Sequence, residues 1–254
     1  MPGTMRSRDR SRAAMARPPV GGGGPWSPAL LDGCSWWLRA DLGVTLNGSS
    51  RVVEWIDQIG GNVTAPFASS AGPPVVEGLN GCPAARFGNN FDYAMRTDGF
   101  VPATGASPRS LVAVLGNTAP AGEGGYRHVL HYGSLQGLTA YGLCHVVTGG
   151  DHFGNHYWGS GLAGASGATR PGGVWVATSY DGSSDTVYVD GEVDATAELS
   201  LNTGASHVLQ VGTRIVGPAE VANCDLYEAF AVSRALSPDD LAAIASYVSD
   251  RYGF

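Results

Sequence analysis

Glycine and proline interrupt this chain too often for a long helix to survive. Its 254 residues include 38 Gly and 15 Pro, and in a helix interior these cost roughly 1 and 3 kcal/mol relative to Ala. No apolar run reaches the ~18 residues that a membrane span needs. Helical bundles, coiled coils and helical membrane proteins are excluded, and an all-β domain rich in turns is expected. The length supplies enough material for the buried core of one large β domain. Only 15% of residues are charged, so Ser, Thr, Asn and Gly must cover much of the surface.

The net charge of −7 hides an asymmetry. Arg6, Arg8, Arg10, Arg12 and Arg17 stand against Asp9 near the N-terminus, and the rest of the chain is strongly acidic. An acidic body argues against a nucleic-acid-binding domain. The basic segment alone could meet nucleic acid, a membrane surface or an acidic partner. No apolar segment of signal-peptide length follows these arginines. Cys34, Cys82, Cys144 and Cys224 form no Cys-x-x-Cys pair, so a structural zinc site of the usual spacing is not expected. Cys34 and Cys224 could bridge if the first and last strands are neighbours.

Residues 1–28 read as an Arg/Gly/Pro-rich arm, with Gly21 to Gly24 as a hinge. Residues 29–254 read as one domain, since no linker divides the β-type runs. The clearer runs are 34–39, 52–56, 84–87, 110–115, 126–132, 138–147, 174–180, 186–190, 207–213 and 225–232. Asp190-Gly191 between two of them signals a tight hairpin. At the C-terminus, Ser237 can cap a helix, Pro238 suits its first position, and Asp239 and Asp240 complement its dipole. Leu241, Ile244, Ala245 and Val248 then share one face, and Gly253 can end it.

A family resemblance rests on an ordered set of motifs. Trp36-Trp37-Leu38-Arg39-Ala40-Asp41 is followed by Val53-Glu54-Trp55-Ile56-Asp57-Gln58 and by Leu79-Asn80-Gly81-Cys82-Pro83-Ala84-Ala85-Arg86-Phe87. Trp175, the Tyr188-Val189-Asp190-Gly191 hairpin, Tyr227-Glu228-Ala229-Phe230 and Arg234-Ala235-Leu236-Ser237 complete it. Together, over residues 34–254, these resemble the bacterial and phage branch of the laminin-G-like, concanavalin A-like lectin/glucanase superfamily. The resemblance implies an all-β, two-sheet antiparallel jelly-roll sandwich with one short C-terminal helix. This superfold hosts lectins, hydrolases and structural modules.

Several groups are candidates for chemistry. Glu192, Asp194 and Glu198 would share one strand face by simple alternation, and retaining glycosidases need two carboxylates roughly 5–5.5 Å apart. Superfamily glucanases use a similar Glu-x-Asp strand, although here the last Glu falls one or two residues farther on. His128, His131, His145, His152 and His156 cluster in sequence, and His152 and His156 suggest metal ligands, with polar loop residues as the alternative. Asp151, Asn155, Tyr157 and Trp158 could form a sugar-binding group, the aromatics stacking on a ring and the polar side chains bonding hydroxyls. The resemblance also brings calcium into view, with Asp92, Asp98, Asp181 and Asp185 as oxygen ligands near turns; turn chemistry is the alternative. Glu228 alternates with apolar neighbours and is expected to be a buried polar anchor. Trp36, Trp37, Trp55 and Trp175 are expected in the core.

Serine-hydrolase, phosphate-loop and dinucleotide motifs are missing. The expected protein is a non-catalytic attachment or recognition module that requires no cofactor except, in one reading, calcium. Its expected place is a virion or particle surface, as a capsid decoration or fibre component, with the five arm arginines anchoring it to a capsid partner. A homo-oligomer with carbohydrate as a further ligand is expected. A free extracellular or cell-surface lectin is the alternative, and a hydrolase using Glu192 and Glu198 is the third reading.

Overall fold

Alternation of inward and outward side chains converts the short runs into strands. The computed structural model describes residues 25–68, 70–88, 93–119, 125–147, 150–214 and 220–254. The first strands are β1 (Cys34–Arg39), β2 (Val44–Leu46), β3 (Val52–Ile56), β4 (Val63–Pro66), β5 (Val75–Glu77) and β6 (Pro83–Gly88). Next come β7 (Met95–Thr97), β8 (Arg109–Thr118), β9 (Tyr126–Gly133), β10 (Ala140–Val146), β11 (His152–His156) and β12 (Gly161–Gly167). The last are β13 (Arg170–Tyr180), β14 (Ser184–Val189), β15 (Glu192–Glu198), β16 (His207–Val211) and β17 (Asn223–Val232), followed by helix α1 (Pro238–Tyr252).

Two antiparallel sheets result, packed as the expected jelly-roll sandwich. The eight-stranded sheet runs β15-β14-β13-β8-β17-β6-β5, with β1 also paired to β17. The nine-stranded sheet runs β12-β11-β10-β9-β16-β7-β4-β3-β2. Strand β8 shows how the layers are divided. Leu111, Ala113 and Leu115 enter the core between the sheets, with Trp36, Trp55 and Phe153. Val112 and Val114 face the other way, into a second apolar layer with Trp37, Trp175 and α1. A strand covered on both faces reads as an unbroken apolar run, and 110–115 is one. No helix among the described residues is long and apolar enough to cross a membrane.

Helix α1 begins with the expected cap. Ser237 Oγ accepts from the Asp240 amide and the Asp240 carboxylate returns to the Ser237 amide, a reciprocal capping box. Gly253 ends the helix in the left-handed region. Beneath it, Glu228 is fully buried. Its carboxylate accepts from Trp37 Nε1, from Tyr247 Oη at 2.9 Å and from Tyr252 Oη at 2.7 Å. The expected anchor is therefore held by an indole and two phenols, not by backbone amides or an Arg. A register shift between Leu226 and Glu228 turns Leu226 into the inter-sheet core, while Phe230 stays on the helix side. Ordered packing reaches Trp26, whose ring centroid lies 5.2 Å from that of Tyr247.

All four cysteines are free thiols. Strands β1 and β17 are neighbours, but antiparallel register sets Cys34 opposite Val232. Cys224 sits near the far end of β17, opposite Phe87. The Cys34–Cys224 bridge cannot form.

Candidate functional site

Strand alternation separates the residues expected to bind sugar. Asn155 and Tyr157 point inward from the β11 end of the nine-stranded sheet and meet Asp185, which reaches across from β14. The Asp185 carboxylate accepts from Tyr141 Oη at 2.9 Å, Asn155 Nδ2 at 2.9 Å and Tyr157 Oη at 2.6 Å. Asn155 Oδ1 also accepts from the Gly142 amide. Arg109, fully buried, covers the rings of Tyr141 and Tyr180 at 5.4 and 5.2 Å. Burial raises the Asp185 pKa to about 6, even though three donors stabilise its charge. Asn155, Tyr157 and Asp185 thus form a closed network between the sheets, which no sugar ring enters.

Trp158 turns outward. With Gly159 it makes the β11–β12 turn, both residues having positive φ (68° and 71°), the signature of a tight hairpin. Its indole lies beneath Arg214, with Cζ 4.9 Å from the ring. Asp151 accepts from His145 Nε2 and from the Thr169 amide at 2.7 Å. The four residues therefore do not form one binding group.

The remaining acids are equally dispersed. Asp181 is exposed and accepts from the Ser183 and Ser184 amides, a turn role. Asp98 is exposed beside Arg96 at 3.7 Å. Asp181 and Asp185 do not converge, since one faces solvent and the other the core. Asp92 and Arg6, Arg8, Arg10, Arg12 and Arg17 lie outside the described residues. On β15 the register slips opposite Val187 and Tyr188, so Asp194 leaves the alternation. It accepts from the Ala165 and Ser166 amides of β12. Glu192 and Glu198 pair with opposite ends of β14, Val189 and Ser184. Six residues along a strand span roughly 20 Å, well beyond the roughly 5–9.5 Å that paired glycosidase carboxylates require.

The histidines regroup on the outer face of the nine-stranded sheet. Strand β9 has an extra residue: Leu130 pairs with Leu143 and His128 with Cys144. Val129 and Leu130 both enter the core, which puts His128 and His131 on the same outer side. Two strands away, His156 joins them, and the nitrogens of the three rings lie within 4.8 Å of one another. His128 Nε2 is 2.8 Å from His156 Nδ1. Gly142 makes this possible, because a Cβ there would lie 2.5 Å from the His131 ring. Tyr126 stacks on His156 at 4.0 Å. Burial depresses all three imidazoles, His156 to about 4. These are the described residues that could hold a transition metal. Of the two sequence candidates four apart, only His156 belongs to the group.

An open cleft of about 400 Å³ lies at one end of the sandwich, between the β9–β10 turn and the segment entering β16. Its polar walls are Ser134, Gln136, Thr139, Asn202, Ser206 and His207, with no acidic or basic side chain other than the histidine. Ser134 Oγ and Ser206 Oγ meet at 2.8 Å, and Thr139 Oγ1 donates to the Gln136 carbonyl. The Asn202 amide N–H donates to the Leu138 carbonyl and that of Gly204 to Thr139, so backbone bonds fix both walls. The side chains of Gln136 and Asn202 are exposed. Sequence reading missed this cleft, because its residues are ordinary turn formers scattered over some seventy positions.

No family model matches the chain, and no curated protein matches it in sequence. Solved structures do resemble it in fold. The binding domain of Paraclostridial Mosquitocidal Protein 1 aligns with a TM-score of 0.62 at 10% identity, over 87% of this chain and 53% of that one. Domain 4 of AbnA, a GH43 extracellular arabinanase from Geobacillus stearothermophilus, in complex with arabinotriose, aligns at 0.54 and 15% identity, over 74% of this chain and 91% of that one. Trypanosoma rangeli sialidase in complex with sialic acid aligns at 0.55 and 17% identity, over 93% of this chain and 36% of that one. The chain thus spans about a third of the length of the sialidases it matches. The fold is the β-sandwich shared by lectin-like domains and glycoside hydrolases. The expectation of a non-catalytic module is corrected here: the similar structures are mostly glycoside hydrolases or parts of them, including a GH54 α-L-arabinofuranosidase.

Proposed function

We propose that this chain is a carbohydrate-recognition domain of the laminin-G-like, concanavalin A-like kind, and that it seats an oligosaccharide in the cleft between the β9–β10 turn and the entry to β16. The observation that carries this reading is the cleft itself: an open, preformed space lined by hydroxyls, carboxamides and one imidazole, without a carboxylate or guanidinium. Sugar hydroxyls both donate and accept, and so do these groups. Leu135 adds an apolar surface for a ring face. The fold likeness to a domain solved with arabinotriose supports the same class of ligand. The arm arginines, and the particle surface they would anchor to, contribute nothing to this reading.

Calorimetric titration with arabinotriose and with sialic acid tests it, the same mixtures being followed for released sugar so that turnover is read beside binding. Saturable binding to one of the two is expected, at least tenfold weaker in the Gln136→Ala/Asn202→Ala variant. Both side chains are exposed, so the unfolding midpoint should not move. Wild-type affinity in that variant, or no saturable binding to either sugar, would overturn the proposal.

A further inference from the structure

We propose that His128, His131 and His156 form a transition-metal site of the zinc type, three imidazoles on the outer face of the nine-stranded sheet sharing one divalent cation. His131 is fully buried, and among the described residues its two ring nitrogens have no hydrogen-bond partner. Buried polar atoms are nearly always paired, because leaving one unpaired costs about 1–3 kcal/mol. Here an unpaired ring faces two more imidazoles, its centroid 4.5 Å from that of His128 and 5.9 Å from that of His156.

Metal binding would satisfy these nitrogens together. Zinc takes imidazole nitrogens at about 2.0–2.1 Å, which puts tetrahedral ligand atoms about 3.3 Å apart. The three rings already hold theirs within 4.8 Å of one another, so binding has to draw them in by at most about 1.5 Å. Imidazole suits zinc, copper and nickel, whereas calcium and magnesium require oxygen.

Surrounding residues give the ligand atoms a direction. Glu220 Oε2 lies 3.4 Å from His128 Nδ1, and neither atom has a hydrogen-bond partner among the described residues, so a ring fixed by a metal could draw the two together. A carboxylate on the outer nitrogen of a metal-bound histidine orients the ring and raises its basicity. That arrangement leaves Nε2 as the ligating atom of His128, and it is Nε2 that faces His156. Arg214, 2.9 Å from the same Glu220 oxygen, holds the carboxylate in place. A bridge from His128 to Val221 ties this segment to β9. Glu220 is thus a positioning residue for the site.

The test uses the full chain without an affinity tag, stripped by chelator and titrated with Zn²⁺ by calorimetry, with thermal unfolding measured before and after. One saturable equivalent and a raised unfolding midpoint are expected. Glu220→Gln should keep the stoichiometry and weaken binding about 10–100-fold. His131→Leu and His156→Gln should each abolish the saturable equivalent, while His207→Ala should leave it intact. The metal-free His131→Leu protein is checked by its cooperative unfolding, and His156→Gln decides the matter if that variant does not fold. Absence of a saturable equivalent in the wild type would overturn the site. So would zinc binding unchanged in a folded His131→Leu or His156→Gln protein.

Discussion

Two kinds of buried polar cluster occupy this sandwich, and they are built by opposite rules. Asp185 and Glu228 each enter an apolar layer with three donors aimed at the carboxylate. His128, His131 and His156 are buried as well, yet among the described residues His131 has no hydrogen-bond partner. The carboxylates complete themselves, so they belong to the folding of the chain. The histidines are incomplete as they stand, and incompleteness at this depth points outward to a ligand. Burial alone separates nothing, whereas the accounting of partners does.

Three changes would break or sharpen that contrast. Replacing Asp185 by Leu strands two tyrosine hydroxyls and the Asn155 amide between the sheets. Unfolding in urea should show a loss of at least about 3 kcal/mol, since three groups are left unpaired at about 1–3 kcal/mol each. A loss below about 1 kcal/mol would mean that the network is dispensable.

Glu228 gives a pH-dependent version of the same test. Burial first of all raises its pKa from 4.5 to about 7 in the folded chain. Its protonated form is therefore favoured by folding, and this contribution is complete below pH 4.5 and lost as pH rises through about 7. Relative to Glu228→Gln, the wild type should lose up to about 3 kcal/mol over that window, on a background that rises with pH because burial depresses the pKa values of His128, His131 and His156. Glu228→Gln should remove this falling contribution, so the difference between the two proteins isolates Glu228 from Asp185 and from the histidines. Parallel curves for the two proteins between pH 5 and 7 would show that Glu228 does not titrate there.

The smallest effect is the most telling. In metal-free protein, His131→Leu removes two nitrogens that bond nothing, so stability should stay within about 0.5 kcal/mol of wild type or rise. A loss comparable to that of Asp185→Leu would place His131 among the structural polar groups and erase the contrast.

The sequence showed the architecture where local rules act alone. The 34–39 and 52–56 runs coincide with β1 and β3, Asp190-Gly191 makes the hairpin, and Ser237 caps the helix. Strands β11 and β12 were obscure, because Gly154 and Gly161 serve close packing that only the sheet reveals. The site was less legible than the fold. Tyr157 and Trp158 look like one aromatic platform, but Tyr157 packs into the core while Trp158 forms the β11–β12 turn and faces outward. His128 and His131, three apart, should lie on opposite faces of a regular strand. The extra residue in β9 brings them together, and nothing in its local sequence marks it. Asp185 resembles a turn acid until the second sheet supplies its tyrosines.

Asp194 has a consequence beyond its own strand. It stands on β15, the outermost strand of one sheet, and takes up the Ala165 and Ser166 amides on β12, the outermost strand of the other. Those amides are what an incoming strand from a neighbouring molecule would seize. Gly164 keeps the approach clear, since a Cβ there would lie 1.8 Å from the carboxylate. One acid thereby laces the open side of the sandwich and blocks a route by which copies of the chain could polymerise edge to edge.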